Sequence, residues 1–220
     1  MMKSIVKQTL QRLGWEIRRY EPPSPPKLNR CSFKGCLTQA KQNGLVPKTI
    51  IDVGVATGTP ELYEVFPEAF HLLIEPLEEN KPYLEAWKQK LQHCDYILGA
   101  AAQTTGHQVI NVHPDLVGSS LYKETEGKAV DGIEREIATI TLDEACQQFQ
   151  GQAPYLIKVD TQGSELDVLA GASQILATTD LIILEVSFFE FFQGAPIAQD
   201  YFKFLQDKGF VIYDIFDISY

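Results

Sequence analysis

The sequence predicts an α/β protein built on a doubly wound, mostly parallel sheet, and three observations predict it. Short β-branched and apolar runs alternate with helical patterns from residue 45 onward, as strands joined by crossover helices do. The first run lies in TIIDVGVATG (Thr49 to Gly58) and passes into a turn carrying Asp52, Gly54 and Gly58. Glycine accepts dihedrals and close approaches that other residues avoid, so such a turn suits a polar ligand held at a sheet edge. The second run, Phe70 to Ile74, ends in Glu75-Pro76, with Glu75 placed 17 residues past Gly58. In doubly wound sheets the carboxylate that reads a nucleoside's ribose hydroxyls sits about 20 residues past the glycine turn. A carboxylate there accepts hydrogen bonds from both hydroxyls and disfavours a 2'-phosphate.

Each element follows from its own residues. Ser32 to Gln42 reads as a helix that leads to the turn Asn43-Gly44. Pro60 to Phe66 is a helix with proline in its first turn, and Glu79 to Leu91 is another. Tyr96 to Gly99 is a third strand running into Ala100, Ala101 and Ala102, whose small side chains suit either a flat ring or tight packing. Gln108 to His113 and Ile137 to Leu142 alternate in strand fashion around a polar loop, Pro114 to Glu136, long enough to act as a lid. Tyr155 to Asp160 is a further buried strand. Gly163 and Ser164 then open a helix, with Ser164 and Asp167 in a capping-box pattern. Leu181 to Val186 is the fifth strand of the main sheet, and Glu185 lies near its end. A helix at Ala198 to Lys208, a turn at Gly209 and a last strand at Phe210 to Ile215 complete the order.

Composition divides the chain in two. Residues 1 to 44 form a basic N-terminal arm and residues 45 to 220 a single domain large enough for one substantial core. Through residue 48 there are ten Lys or Arg against Glu16 and Glu21, a balance of +8, which leaves -18 for the rest of a chain whose net charge is -10. An acidic body repels nucleic acid, so no nucleic-acid partner is expected. In the arm, Ile5, Val6, Leu10, Leu13 and Ile17 recur at helical spacing with basic residues between them, and the proline-rich EPPSPPK (Glu21 to Lys27) is an extended spacer. Such a helix docks on the body or, as the alternative, lies on an anionic membrane surface. No apolar run approaches a membrane span, and the first residues lack the apolar block of a signal peptide, so a cytoplasmic protein is expected. The four cysteines are scattered, and Cys31 and Cys36 have no second Cys or His pair to complete a zinc site, which points to reduced thiols.

Four motifs together resemble the FkbM family of class I, Rossmann-like S-adenosylmethionine-dependent methyltransferases, over roughly residues 45 to 215: IDVGVATG (Ile51 to Gly58), LIEP (Leu73 to Pro76), TITLDE (Thr139 to Glu144) and, most specifically, LIKVDTQGSELDVLAGA (Leu156 to Ala172). The resemblance implies that Asp52, Gly54, Thr57 and Gly58 line the methionine end of the cofactor. It implies further that Glu75 with Pro76 holds the ribose, that Ala100 and Ala101 flank adenine, and that Asp160 lies beside the cofactor. The implied activity is methyl transfer to the hydroxyl of a small molecule, sugar or natural product. Two departures stand out: Val55-Ala56 where the family has Ala-Asn, and Gln162 where it has Glu, which removes one negative charge from the reaction centre. The class I sheet ends in an antiparallel pair of strands. After Phe210 to Ile215 only five residues remain here, so the last antiparallel strand is expected to be missing and the exposed edge leaves self-association open.

An alcohol is nearly as hard to deprotonate as water, with a pKa of about 15.7, whereas an ordinary carboxylate near 4 is a poor base. Asp160 and Glu185 end neighbouring strands at the ligand edge, so both are candidate catalytic groups and candidate ligands for Mg, which would lower the pKa of a bound hydroxyl. Glu165, in the first turn of the following helix, completes that set or serves as the base. His113 is a weaker candidate base, and His71, His93 and His107 read as packing or surface residues. Phe188, Phe189, Phe191 and Phe192 wall an apolar acceptor pocket or pack in the core. Two further readings of function stay open. One is a non-catalytic cofactor-binding module of the same fold. The other is an NAD-dependent oxidoreductase, against which stands the missing third glycine of G-x-G-x-x-G.

Overall fold

The structure, a computed structural model, describes residues 31–125 and 132–218. The expected arm helix at Ser4 to Tyr20 and the spacer at Glu21 to Lys27 lie outside the described residues. Six helices and eight strands follow in the order α1 (Phe33–Gln42), β1 (Thr49–Val53), α2 (Pro60–Val65), β2 (Phe70–Glu75), α3 (Lys81–Lys90), β3 (Cys94–Leu98), β4 (Ala100–Ala101), β5 (Gly106–Val112), β6 (Ile133–Ile140), α4 (Leu142–Gln148), β7 (Tyr155–Val159), α5 (Glu165–Ala170), β8 (Thr179–Leu184) and α6 (Ala198–Asp207) among the described residues. The main sheet runs β3-β2-β1-β7-β8, all pairs parallel. The chain winds outward from β1 in one direction and from β7 in the other, so the crevice at their C-terminal ends is the topological switch point where such sheets bind ligands. A smaller sheet, β4-β6-β5, meets the main one where β4 passes beside β2.

Period-two burial explains why the central strands read as continuous apolar runs. Ile51, Val53, Leu72, Ile74, Ile157 and Val159 point to one face, where they meet Leu142, Val168, Leu169 and Ala172. Ile50, Leu73 and Leu156 point to the other, toward Leu37, Leu62, Tyr63 and Leu84. Asp52 falls on this second face, fully buried. Register places it directly beside Lys158 on β7, so one strand pairing sets two buried charges side by side.

Three expectations are corrected. Ile137 to Leu142 is not a strand throughout: β6 stops at Ile140 and α4 begins at Leu142, because the Thr141 hydroxyl caps it by accepting from Glu144 N at 3.1 Å. Ser164 does not form the capping box. Its hydroxyl donates back to Thr161 O, and Asp167 is taken by the Tyr122 hydroxyl at 3.0 Å. Phe210 to Ile215 is not a strand. Phe210 packs on the core, but the residues after it run beside α1, where Phe33 N donates to Asp217 Oδ2 at 3.0 Å, Asn43 Nδ2 to the Tyr213 hydroxyl at 2.9 Å, and Phe216 stacks on Phe33. Those contacts draw the segment away from β8, which among the described residues pairs only with β7. The four cysteines carry no disulfide, and no described helix is long and apolar enough to cross a membrane.

Candidate active site

A cleft of about 670 Å³, counting its open mouth, lies at the switch point. Its floor is the end of β1 and the turn after it, through Val53, Gly54 and Ala56. Glu75, Pro76 and Asn80 form one side, Ala100, Ala101 and Ile110 extend it toward the small sheet, and Asp160, Thr161 and Gln162 form the other end. Leu116, Val117, Ser119 and Leu121, from the segment between β5 and β6, form the roof.

The two glycines of the first turn are required by the protein itself. Gly54 has φ +72, and a Cβ there would sit 1.8 Å from the Asp160 carbonyl oxygen. Gly58 has φ +115, and a Cβ there would meet the Trp87 indole nitrogen at 2.0 Å. Trp87 also donates to Thr57 O at 2.9 Å, which ties the turn to α3. Gly54 therefore faces the cleft, whereas Thr57 and Gly58 are spent on packing and do not line it.

Asp52 does not line the cleft either. Its Oδ2 accepts from the Tyr63 hydroxyl at 2.5 Å, and its Oδ1 lies 3.2 Å from Lys158 Nζ. Burial and the Asp52 charge together push the Tyr63 phenol far above its ordinary range, so it stays a donor. Lys158 also lies 3.4 Å from Asp160 Oδ2 and donates to Gly54 O at 3.1 Å. Burial works against its charge, but Asp52 and Asp160 outweigh burial and hold it protonated. Lys158 thus joins the buried end of β1 to the exposed end of β7. Its role was not read from the sequence, although a lysine inside the apolar run YLIKV is a visible signal that a buried anion lies beside it.

Glu75 is 3% exposed. Oε2 accepts from Ala56 N at 2.9 Å, and Oε1 accepts from Leu77 N and Asn80 Nδ2, each at 3.0 Å. These donors are all uncharged, and a carboxylate has about four lone-pair sites, so capacity remains on the side that faces the cleft. A buried anion held by neutral donors suits hydroxyl ligands.

At the opposite end, Gln162 Nε2 donates to Glu185 Oε2 at 2.6 Å and to Asp160 Oδ1 at 3.2 Å, bridging the two carboxylates. Gln162 has φ +55, a left-handed conformation that costs a non-glycine residue about 1 kcal/mol. The Ser120 hydroxyl, from the roof segment, donates to its carbonyl at 2.6 Å and helps hold it there. Burial first, then the hydrogen bond and charge of Asp160, push the Glu185 carboxyl up to about 7. Glu185 N still donates to Val159 O, so β7 fixes the position of this residue just past β8.

Glu165 is placed differently from expectation. It is 1% exposed, its Oε1 accepts from Thr161 N, the Thr161 hydroxyl and Gly163 N, and its Oε2 accepts from the Tyr201 hydroxyl at 2.6 Å. A carboxylate enclosed by four donors shapes the turn that carries Gln162 and does not face the cleft, so a catalytic role does not fit it. The expected Mg site does not fit either. A cation between Asp160 and Glu185 would displace the Gln162 amide, and among the described residues no three His, Cys, Asp or Glu side chains are arranged to hold a metal ion. His113 pairs with Asp115 at 2.8 Å, and His71 is buried with its Nε2 3.0 Å from Phe66 O. Phe188, Phe189 and Phe191 are more than half exposed, so they are not core residues.

No curated protein and no solved structure matches the chain. The model of the methyltransferase FkbM domain matches residues 52–212, from the buried Asp52 to Ile212 and so across every element that lines the cleft; the chain belongs to the FkbM methyltransferase family.

Proposed function

We propose that this chain is an S-adenosylmethionine-dependent O-methyltransferase whose acceptor is a hydroxyl of a small molecule, sugar or natural product. The observation that carries the reading is a cleft lined at one end by Glu75, held by neutral donors, and at the other by Asp160 and Gln162, with Glu185, raised to about 7, directly behind Gln162. S-adenosylmethionine, when bound, supplies a methyl group already made electrophilic by its sulfonium. Glu75 would hold its ribose hydroxyls, with Asn80 and Leu77 N keeping the carboxylate in place. Ala100, Ala101 and Ile110 leave a flat apolar space for its base, and Gly54 and Ala56 present backbone toward its amino-acid end.

The chain's own task is then to orient an acceptor oxygen and take its proton. A base serves best when its pKa lies near the operating pH, which Glu185 meets and an ordinary carboxylate does not. As the acceptor oxygen gains the methyl group, its proton passes to Glu185. Gln162 fixes that carboxylate through the 2.6 Å bond, and Asp160 keeps the local field negative, which favours a proton arriving there.

Calorimetric titration with S-adenosylhomocysteine tests the cofactor. Micromolar binding is expected, and Glu75→Ala should weaken it about 100-fold, since hydrogen bonds to a charged group contribute about 1.5–3 kcal/mol each. Absence of binding to the native chain overturns the reading. Tight binding with no methyl transfer to any hydroxyl acceptor would leave the non-catalytic module in its place.

A further inference from the structure

We propose that the exposed apolar strip Val211 to Ile218 is the docking surface for the chain's own N-terminal arm, residues 4 to 20. Val211 is 89% exposed, and Ile212, Ile215 and Ile218 are each more than half exposed, which puts four aliphatic side chains in water within eight positions. A patch of that kind marks a surface meant to be covered. Nothing in the cleft requires it, because none of these residues lines the site.

Three observations select the arm as the occupant. The first is position: Asp217 N donates to Cys31 O at 3.1 Å, so the point where residues 1 to 30 join the body touches the strip. The second is charge: residues 1 to 30 carry seven Lys or Arg against two Glu, whereas the strip holds Asp214 and Asp217, the latter also accepting from Phe33 N, and follows Asp207 and Lys208. The third is size and pattern. A helix over Ser4 to Tyr20, with Ile5, Val6, Leu10, Leu13 and Ile17 at helical spacing, is about 25 Å long. The strip's eight residues span at most about 29 Å, less where Asp217 turns at φ +49. The seven-residue spacer Glu21 to Lys27 reaches about 22 Å, enough for the helix to fold back along the strip.

Hydrogen exchange on the full chain, read by peptide mass, tests the contact from both sides. In the native chain the amides of residues 211 to 218 should exchange at least about tenfold more slowly than in L10E/L13E. Ile212→Glu should speed exchange over residues 5 to 17 in the same way. Amides of β1, which touch neither surface, report whether each variant is folded. Exchange on either side that is blind to substitution on the other overturns the proposal. So does protection that appears only with anionic phosphatidylserine vesicles, which would make the arm a membrane anchor. Protection that scales with protein concentration and tracks a dimer in sedimentation would assign the strip to a second copy and overturn it equally.

Discussion

Glu75 and Glu185 flank the central pair of strands, one closing β2 and the other just beyond β8; Glu75 lines the cleft itself, whereas Glu185 lies behind Gln162, which lines its opposite end. Their surroundings separate them. Glu75 is almost wholly buried and receives three neutral donors. Glu185 is exposed, its carboxylate receives one amide from Gln162, and it shares its space with Asp160. Burial alone therefore does not set the role of a carboxylate. On the proposed reading, the carboxylate enclosed by donors serves as the binder, and the more exposed one beside a second carboxylate, raised toward neutrality, as the proton acceptor.

The sharpest way to break the comparison is to remove the charge at each position without changing shape. Glu185→Gln should lower kcat by about 10²–10⁴, the usual contribution of a general base, and leave S-adenosylhomocysteine affinity unchanged. Glu75→Gln should do the reverse, weakening that affinity while kcat at saturating cofactor stays close to native. If both variants fail in the same parameter, the two carboxylates do not have separate roles. In the native protein kcat/KM should rise with pH through about 7 and level off above it, because Glu185 must be ionised to accept a proton. Stability should move the opposite way. Folding raises this pKa, so the folded chain binds the proton more tightly than the unfolded chain. That contribution is complete below the ordinary carboxylate range and is lost as pH rises through about 7. Melting temperatures followed from acid to neutral pH should fall less in Glu185→Gln than in the native chain.

Lys158 joins the buried Asp52 to Asp160 beneath the cleft, and its removal tests how much that pairing stabilises the fold. Lys158→Met should destabilise the fold by about 3–5 kcal/mol, because it strands the fully buried Asp52. For a chain of this size that is roughly 10 °C in melting temperature, measurable by calorimetry. The loss should shrink in the double variant Lys158→Met with Asp52→Asn, since neither charge is then left alone. A melting temperature unchanged in Lys158→Met would show that Asp52 finds its compensation elsewhere, in the Tyr63 hydroxyl alone.

How far the sequence revealed this arrangement follows from which interactions are periodic. The parallel order and the positions of Glu75, Asp160 and Glu185 at strand ends are legible, because burial on both faces and strand-end carboxylates leave local patterns. What Gly54 and Gly58 are for is not legible. Both close against groups far along the chain, the Asp160 carbonyl and the Trp87 indole, and glycine looks the same whether a ligand or the protein requires it. Glu165 misleads for a related reason: its four donors come from a turn and from Tyr201 on α6, and only the fold brings them together. The helix α4 was legible but masked, since the T-x-x-E pattern at Thr141 and Glu144 sits directly on the end of a strand. Phe210 to Ile215 is rich in aromatic and β-branched residues apart from Asp214, and contacts of Tyr213, Phe216 and Asp217 with α1 and its C-cap decide against a strand.

Gln162 offers the finest adjustment of the comparison. Its amide donates to both Asp160 and Glu185, so it stabilises their charged forms and opposes the upward shift that burial and Asp160 impose. Gln162→Glu keeps the shape but exchanges a donor for a third carboxylate. Both changes push the same way: a favourable hydrogen bond to the Glu185 anion is lost and a like charge arrives beside it. The ascending limb of kcat/KM against pH should then move upward by about one unit, with the plateau retained at high pH and S-adenosylhomocysteine affinity unaltered, since Glu75 is at the other end of the cleft. A limb that does not move would mean that the titration seen in kinetics belongs to the acceptor and not to the protein, and the base would have to be sought outside the pair that Gln162 bridges.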